Sequence, residues 1–161
     1  MGRDPGSDVR ASRRVIALDT NLLVYAHRRD SPWHARSNAL VRGLAEGAAA
    51  WAIPWPCVHE FLAIVTHPRI YRPPSAMMEA VAQVDAWFAS PSVHLLAENP
   101  GYWPILAAVL PAAQVAGAKV HDARIVAICR AHGVRELWSA DRDFTRHAGL
   151  SVRNPLVDSI D

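Results

Sequence analysis

Four acidic side chains of this 161-residue sequence lie at positions that a fold could bring together into one site, and Asp19 is the first of them. Asp19 follows the apolar run Val15–Leu18 and precedes Thr20 and Asn21. A short apolar run predicts a buried strand, and the polar residues behind it predict a turn into a helix. Ligands of open α/β sheets bind at the carboxyl ends of strands, so Asp19 is a candidate functional carboxylate. Taken alone, it could equally be a helix cap.

Glu60 and Asp122 lie on predicted helices. Glu60 has Ile64 one turn away, beside an apolar face, where a lone carboxylate is costly unless it is paired or binds a metal. A partly solvated helix face is an equal alternative. Asp122 has Val126 one turn away and is predicted on the core-facing side of the first turn, although a carboxylate favoured by the helix dipole is the commoner interpretation.

Asp141 and Asp143 follow another apolar run, within Ser139–Phe144. Asp141 alone is best interpreted as a helix cap, and Asp143 as an exposed acid farther from the strand. Considered together, the acids indicate more than separate helix caps and surface charges, because two carboxylates at about 4 Å repel by roughly 4 kcal/mol at an effective dielectric near 20. Four of them would need protons or a cation, and an all-oxygen set without cysteine suits Mg²⁺ or Mn²⁺ rather than zinc.

The surrounding patterns predict strands alternating with helices. The predicted strands are residues 15–18, 50–53, 92–96, 136–139 and 151–153, and the helices are residues 20–27, 31–46, 57–66, 76–89, 102–116, 120–131 and a short turn at 141–147. The second helix should begin at Ser31 and Pro32 as cap and first residue. In the helix at 76–89, the residues expected to face the core are Met77, Val81, Val84 and Phe88. This order predicts an α/β fold, a three-layer α/β/α domain with a central, mainly parallel sheet.

Composition sets the class of protein. With 51% hydrophobic and 20% charged residues, the chain is predicted to form one globular domain at 14–161 behind a flexible extension at 1–13. The net charge of +2 is carried by residues 1–14, so bulk charge makes no case for nucleic-acid binding. Cys57 and Cys129 lack metal-ligand spacing and predict buried, reduced thiols. No apolar run is long enough to span a membrane, and a cytoplasmic location is expected.

The ordered acids resemble the PIN-domain pattern. Its segments here are Asp19-Thr20-Asn21, Glu60, His121-Asp122-Ala123 and Ser139–Phe144, and Gly149–Pro155 also fits. The resemblance covers about residues 14–157, and in length and arrangement the chain is most similar to the VapC toxins of bacterial type II toxin–antitoxin pairs. It implies a PIN-like fold, Mg²⁺- or Mn²⁺-dependent ribonuclease activity, a homodimer and a cognate antitoxin.

By position, the resemblance implies that the metal-binding catalytic acids are Asp19, Glu60, Asp122 and Asp141, supported by Thr20, Asn21, Ser139 and Asp143. Ser139 stands where the family often has threonine, and it keeps the hydroxyl. As a hypothesis, the metal binds the scissile phosphate and lowers the pKa of a water, while Glu60 or Asp141 orients or deprotonates that water. RNA products would then carry a 5′-phosphate and a 3′-hydroxyl. The candidate phosphate contacts are Arg28, Arg29, Arg124, Arg142 and Arg146.

Other readings remain open on sequence alone. A DNA-directed nuclease, an rRNA- or tRNA-processing PIN nuclease outside a toxin–antitoxin pair, and a non-catalytic binding module share these residues. A phosphoacceptor signalling domain would need an aspartate ending the second strand, which instead ends at Pro54. His59 and His121 are interpreted as structural or surface residues, because adjacent helical positions point about 100° apart. Some of the aromatic and sulfur side chains are expected to face a dimer mate or an antitoxin helix; the candidates are Trp51, Trp55, Trp87, Trp103, Met77 and Met78.

Overall fold

A five-stranded parallel sheet forms the centre of the computed structural model, which describes residues 14–141, 144 and 149–158. The strands are β1 Ile16–Leu18, β2 Trp51–Pro54, β3 Val93–Leu96, β4 Glu136–Trp138 and β5 Ser151–Arg153. They lie in the order β3-β2-β1-β4-β5, and each neighbouring pair is parallel. The predicted α/β fold with a parallel sheet is confirmed.

Helices connect the first four strands, as parallel pairing requires. In the described residues they are α1 Thr20–His27, α2 His34–Glu46, α3 Trp55–Val65, α4 Met77–Phe88, α5 Tyr102–Ala112 and α6 Lys119–Ala131. Every residue of β2 and of β4 is buried. Because successive side chains of a strand point to opposite faces, both faces of the sheet must be covered, as in a three-layer α/β/α arrangement.

Two predicted helix boundaries were wrong. Ser31 does not cap α2; its hydroxyl accepts a hydrogen bond from the Trp33 amide at 3.2 Å and closes a turn before the helix begins at His34. Helix α5 ends at Ala112 rather than residue 116, with Pro111 in its last turn. Gln114 then takes a φ of +52°, which no α-helix continues.

The predicted core face of α4 was also partly wrong. Met77 and Val81 are 53% and 44% exposed, whereas Ala80, Val84 and Trp87 are buried. Nearly every position of this helix is apolar, so its sequence does not select a single stripe. Packing against α3 selects it instead.

No helix in the described part of the chain is both long enough and apolar enough to cross a membrane. The extension at 1–13 lies outside the described residues, as does most of the turn predicted at 141–147.

Candidate active site

Asp19 and Ser139 are the first residues beyond two neighbouring strands. Strands β1 and β4 pair in register to Leu18 and Trp138, and the Asp19 amide continues the ladder by donating to the Trp138 carbonyl at 2.9 Å. This register brings the Ser139 hydroxyl to Asp19, where it donates to Oδ2 at 2.7 Å. Two residues that are 120 positions apart thus meet at the carboxyl edge of the sheet.

Asp19 is both a helix cap and a buried carboxylate, since it is 6% exposed. Its Oδ1 accepts a hydrogen bond from the Thr20 amide at 2.8 Å at the start of α1, and the Cys57 thiol donates to the same oxygen at 3.8 Å. The cap interpretation and the functional one are therefore compatible. Cys57, which the sequence marked only as a buried thiol, lies directly against the carboxylate.

Asn21 ties the start of α1 to the segment after β4. Its Oδ1 accepts from the Ala140 amide at 3.0 Å, and its amide group donates to the Ser139 hydroxyl at 3.4 Å. The same hydroxyl accepts from the Asp141 amide at 3.1 Å. These bonds hold the backbone that carries Asp141 against the turn that carries Asp19.

Glu60 reaches this edge from α3. Its side chain is exposed, as the solvated-face alternative predicted, but Oε2 accepts a hydrogen bond from the Thr20 hydroxyl at 2.9 Å. Thr20 therefore joins two acids, through its amide to Asp19 and through its hydroxyl to Glu60.

The pKa values of Asp19 and Asp122 are both raised, and the charges of other acids contribute to each rise. Burial raises the pKa of Asp19 from 3.8 to about 6; its hydrogen bonds oppose this rise, and the negative charges of Glu60 and Asp122 add to it. Burial also raises the pKa of Asp122, followed by the charges of Asp141 and Glu60, with His121 acting in the opposite direction. Like charges raise these pKa values because each neighbour disfavours ionisation.

Among the described residues, no three His, Cys, Asp or Glu side chains are arranged closely enough to hold a metal ion as they stand. Glu60 and Asp122 nevertheless act on the pKa of Asp19, and Asp141 and Glu60 act on that of Asp122. The donor set consists only of carboxylates, which suits a hard divalent cation. Two of them, Glu60 and Asp141, are exposed, and surface side chains change rotamer readily. The residues therefore fit such an ion in their chemistry, and their side chains would have to move closer together to bind it.

A groove between α3 and α6 opens beside the acids and has a volume of about 570 Å³. We call it the α3–α6 groove; its lining is Trp55, Pro56, His59, Glu60, Ala63, Ala118, His121, Asp122, Arg124 and Ile125. His59 and His121 are exposed, as predicted for surface residues, yet they line the same groove as the acids. The reasoning from adjacent helical positions missed this, because the wall of a groove spans a wider arc than one helix face.

The candidate phosphate-binding arginines lie in different places. Arg124 lines the groove and pairs with Glu98 at 2.6 Å. Arg28 follows the opposite end of α1, about 13.5 Å along the helix from Asp19. There Arg28 pairs with Asp30 and lies over the Tyr71 ring, 4.2 Å from its centroid.

Arg29 is exposed next to Arg28. Arg142, Arg146 and Asp143 lie outside the described residues.

An acidic edge on a parallel α/β sheet is typical of metal-dependent nucleases, and the comparisons with known proteins agree. The family model of the PIN domain matches residues 16–150. Ribonuclease VapC48 of Mycobacterium tuberculosis is 34% identical over 139 residues, covering 86% of this chain and 96% of that protein. VapC ribonuclease Mb2897 of Mycobacterium bovis is 30% identical over 142 residues, covering 88% and 96%. The chain belongs to the PIN-domain family and, within it, to the VapC ribonucleases.

Solved structures share the fold. VapBC2 from Rickettsia felis, bound to a DNA fragment from their promoter, aligns with a TM-score of 0.62 at 16% identity, covering 87% of this chain and 98% of that one. FitAcB from Neisseria gonorrhoeae aligns with a TM-score of 0.55 at 18% identity, covering 87% and 97%. At these identities the likeness is one of fold, and it agrees with the PIN-like architecture. Ribonucleases of this family generally depend on a divalent metal.

Proposed function

We propose that this protein is a metal-dependent endoribonuclease that acts as the toxin of a type II toxin–antitoxin pair. The observation that carries the proposal is the buried Asp19 at the edge of the sheet, whose pKa is raised to about 6 by burial and by neighbouring acids. A buried carboxylate with further acids in its surroundings costs stability, so this arrangement points to a ligand that needs the acids. Relatives named as ribonucleases match nearly all of the chain.

We assign the metal-binding catalytic acids as Asp19, Glu60, Asp122 and Asp141, with Mg²⁺ or Mn²⁺ as the ion. When bound, the ion would supply positive charge that draws the phosphodiester to the acids and makes a water nucleophilic near neutral pH. Asp19 would be the fixed member, since hydrogen bonds to both of its oxygens set its orientation. Glu60 or Asp141 is exposed and would orient the attacking water or take its proton. In-line attack would leave a 5′-phosphate on one RNA product and a 3′-hydroxyl on the other.

The supporting residues act through the acids. Ser139 and Thr20 hold Asp19 by hydrogen bonds, and Asn21 fixes the backbone before Asp141. Asp143 would add negative charge on the same segment. Among the arginines, we propose that Arg124 contacts RNA phosphates, since it lines the groove beside Asp122. Arg28 and Arg29 would contact RNA farther from the cleaved bond, and Arg142 and Arg146 are further candidate phosphate contacts.

We also propose two protein partners, a cognate antitoxin and a second copy of the chain. The support is an exposed apolar surface on and before α4, where Met78 is 86% exposed and Ile70 is 54% exposed. Trp103 on α5 is 65% exposed, whereas Trp51 and Trp87 are core residues. Apolar and aromatic side chains of this kind are enriched at interfaces. Met78→Glu should reduce co-purification with the antitoxin or shift the mass of the free toxin from dimer to monomer. If the variant is unchanged in both respects, this surface is not the interface with either partner.

The test of function uses purified protein, an RNA pool and a DNA pool of matched sequence, with Mg²⁺, Mn²⁺ or a chelator. The protein should cleave RNA only with a divalent ion, and sequencing of the product ends should find 5′-phosphates. Asp19→Asn should lower the cleavage rate by about two orders of magnitude or more, because the ion's charge stabilisation is worth several kcal/mol and each 1.36 kcal/mol is tenfold in rate.

The matched control is Asp85→Asn, which neutralises an exposed acid on α4 and should leave the rate unchanged. Unchanged cleavage by Asp19→Asn would contradict the site. Equal cleavage of DNA would favour a general nuclease, and RNA binding without cleavage would favour a binding module.

A further inference from the structure

The α3–α6 groove has an apolar end that the four acids do not account for. The apolar side chains of this end are Trp55, Pro56 and Ala118, which precede the acids Glu60 and Asp122 along α3 and α6, whereas Ala63 and Ile125 line the groove on the other side of these acids. A volume of about 570 Å³ lies within the range of small-molecule sites. A phosphodiester at the acids would therefore have an apolar recess next to it.

Trp55 is the aromatic side chain of this recess, and contacts with two neighbouring rings hold it in position. The Phe88 ring meets it edge to face with centroids 5.5 Å apart and planes at 81°. His59 meets it at 6.3 Å and 83°. The indole remains partly exposed to the groove, and its N–H makes no hydrogen bond to the described residues. A ring that is already held in place loses little entropy when a ligand stacks on it.

Position along α3 relates this ring to the acids. Trp55 is the first residue of α3 and Glu60 is five residues later, a rise of about 7.5 Å along the helix axis. His59 on α3 and His121 on α6 are exposed along the same groove and offer ring nitrogens to polar groups. The groove therefore combines two acids that would help to hold a divalent ion, an aromatic platform and polar side chains within the reach of one nucleotide.

We propose that the apolar end of the α3–α6 groove is a nucleobase subsite, in which an unpaired base next to the cleaved phosphodiester stacks on Trp55. The inference rests on the proposed function and sharpens it, because it assigns the base beside the cleaved bond a defined contact on the protein. Proteins read such RNA by stacking splayed-out bases on aromatic side chains, and stacking tolerates any base because each has a π-face. His59 and His121 then contact the edge of the base and give preference among bases.

The first experiment compares cleavage of a single-stranded RNA that contains the mapped cleavage site with copies that carry one abasic position, scanned along the strand. In the wild-type protein, one abasic position beside the cleaved bond should lower kcat/KM about tenfold, in the range that base–aromatic stacking gives. With Trp55→Ala the intact RNA should be cleaved about tenfold more slowly, and the same abasic position should have less than a twofold further effect. Trp55→Phe should keep most of the wild-type sensitivity. Equal abasic effects in the wild type and Trp55→Ala would overturn the proposal.

A second variant avoids the packing between Trp55 and Phe88. Ala118 is exposed and lines the groove directly before α6, so Ala118→Leu should fill the subsite without disturbing the core. Ala108→Leu is the matched control, since Ala108 is exposed on α5 outside the groove. Ala118→Leu should lose the abasic sensitivity, and Ala108→Leu should retain it. If Ala118→Leu behaves as the wild type does, the subsite is not at this end of the groove.

A binding measurement separates this inference from the proposed function. RNA that carries 2-aminopurine at the sensitive position, or at each position in turn if no cleavage is found, is mixed with the protein in a chelator. Stacking on Trp55 should quench the 2-aminopurine fluorescence in the wild type and Ala108→Leu but not in Trp55→Ala or Ala118→Leu. Quenching without any RNA cleavage would support the subsite and refute the ribonuclease function. Cleavage of RNA without Trp55-dependent quenching would support the function and refute the subsite.

Discussion

Replacement of Asp19 by asparagine should stabilise the metal-free protein at neutral pH, although it removes a residue of the site. Burial and neighbouring acids raise the pKa of Asp19 from 3.8 to about 6 in the folded protein. As the pH rises, the unfolded chain loses this proton near pH 4 and the folded chain loses it near pH 6. The free energy of unfolding therefore falls across this window, and the full cost of the buried charge is present above it.

The magnitude follows from the pKa. A rise from 3.8 to about 6 corresponds to about 3 kcal/mol at neutral pH, at 1.36 kcal/mol for each pH unit. Asparagine removes this cost but accepts no hydrogen bond at the atom that replaces Oδ2, where Ser139 donates at 2.7 Å. That loss costs about 1 kcal/mol. Asp19→Asn should therefore be more stable than the wild type by about 2 kcal/mol at pH 7.5 and less stable by about 1 kcal/mol at pH 4.

Urea denaturation of both proteins in a chelator, followed by tryptophan fluorescence across this pH range, measures the difference. Only Asp19 differs between the two, so the pH dependence of the difference isolates this carboxylate. Addition of Mg²⁺ should reverse the order at neutral pH, because an ion at 100 times its Kd stabilises the wild type by about 2.7 kcal/mol and binds the variant less. If the variant is the less stable protein at both pH values without metal, the assigned cost of the buried charge is wrong.

Three further predictions concern the surroundings of the site. Ser139→Ala should lower the free energy of unfolding by about 1–3 kcal/mol and move the acidic limb of the cleavage pH profile to higher pH, because the Ser139 hydrogen bond lowers the pKa of Asp19 and its loss raises that pKa; an unmoved limb would contradict this. Cys57 and Cys129 should resist thiol reagents in the folded protein, because burial raises both thiol pKa values, that of Cys129 to about 12; rapid labelling without urea would refute this. Gly149→Ala should destabilise by about 1 kcal/mol, because Gly149 has a φ of +84° and its added Cβ would lie 3.2 Å from Arg130 Nε. The control Gly43→Ala, in open space on α2, should be neutral or stabilising in the same urea titration.

The sequence predicted the order and approximate bounds of the strands and most helices. Strands β1 and β2 are short apolar runs that end at a polar residue or a proline, and such local signals are present in the sequence because burial in the sheet requires them. Helix faces were harder to predict. In α4, Met77 and Val81 satisfy the apolar pattern as well as Ala80 and Trp87 do, so only packing against α3 could decide which pair is buried.

The site, like the fold, was only partly predictable from the sequence. The acidic residues and their spacing were visible in the sequence, because a carboxylate after an apolar run is a local feature. Their neighbours were not visible: Cys57 against Asp19, and the groove that joins Trp55, His59 and His121, depend on how α3 meets β1 and α6. No periodicity within a single helix contains that information.

The sequence by itself determined that Asp19 ends a buried strand and caps a helix, because both properties depend on the residues directly beside it. Only the tertiary structure decided that β4 lies next to β1, which brings Ser139 to Asp19 across 120 positions of chain. Strand order is set by the burial of both faces of the whole sheet, a property of all its elements together. That neighbour fixes the orientation of Asp19, and the burial that comes with it raises the pKa of Asp19 to about 6.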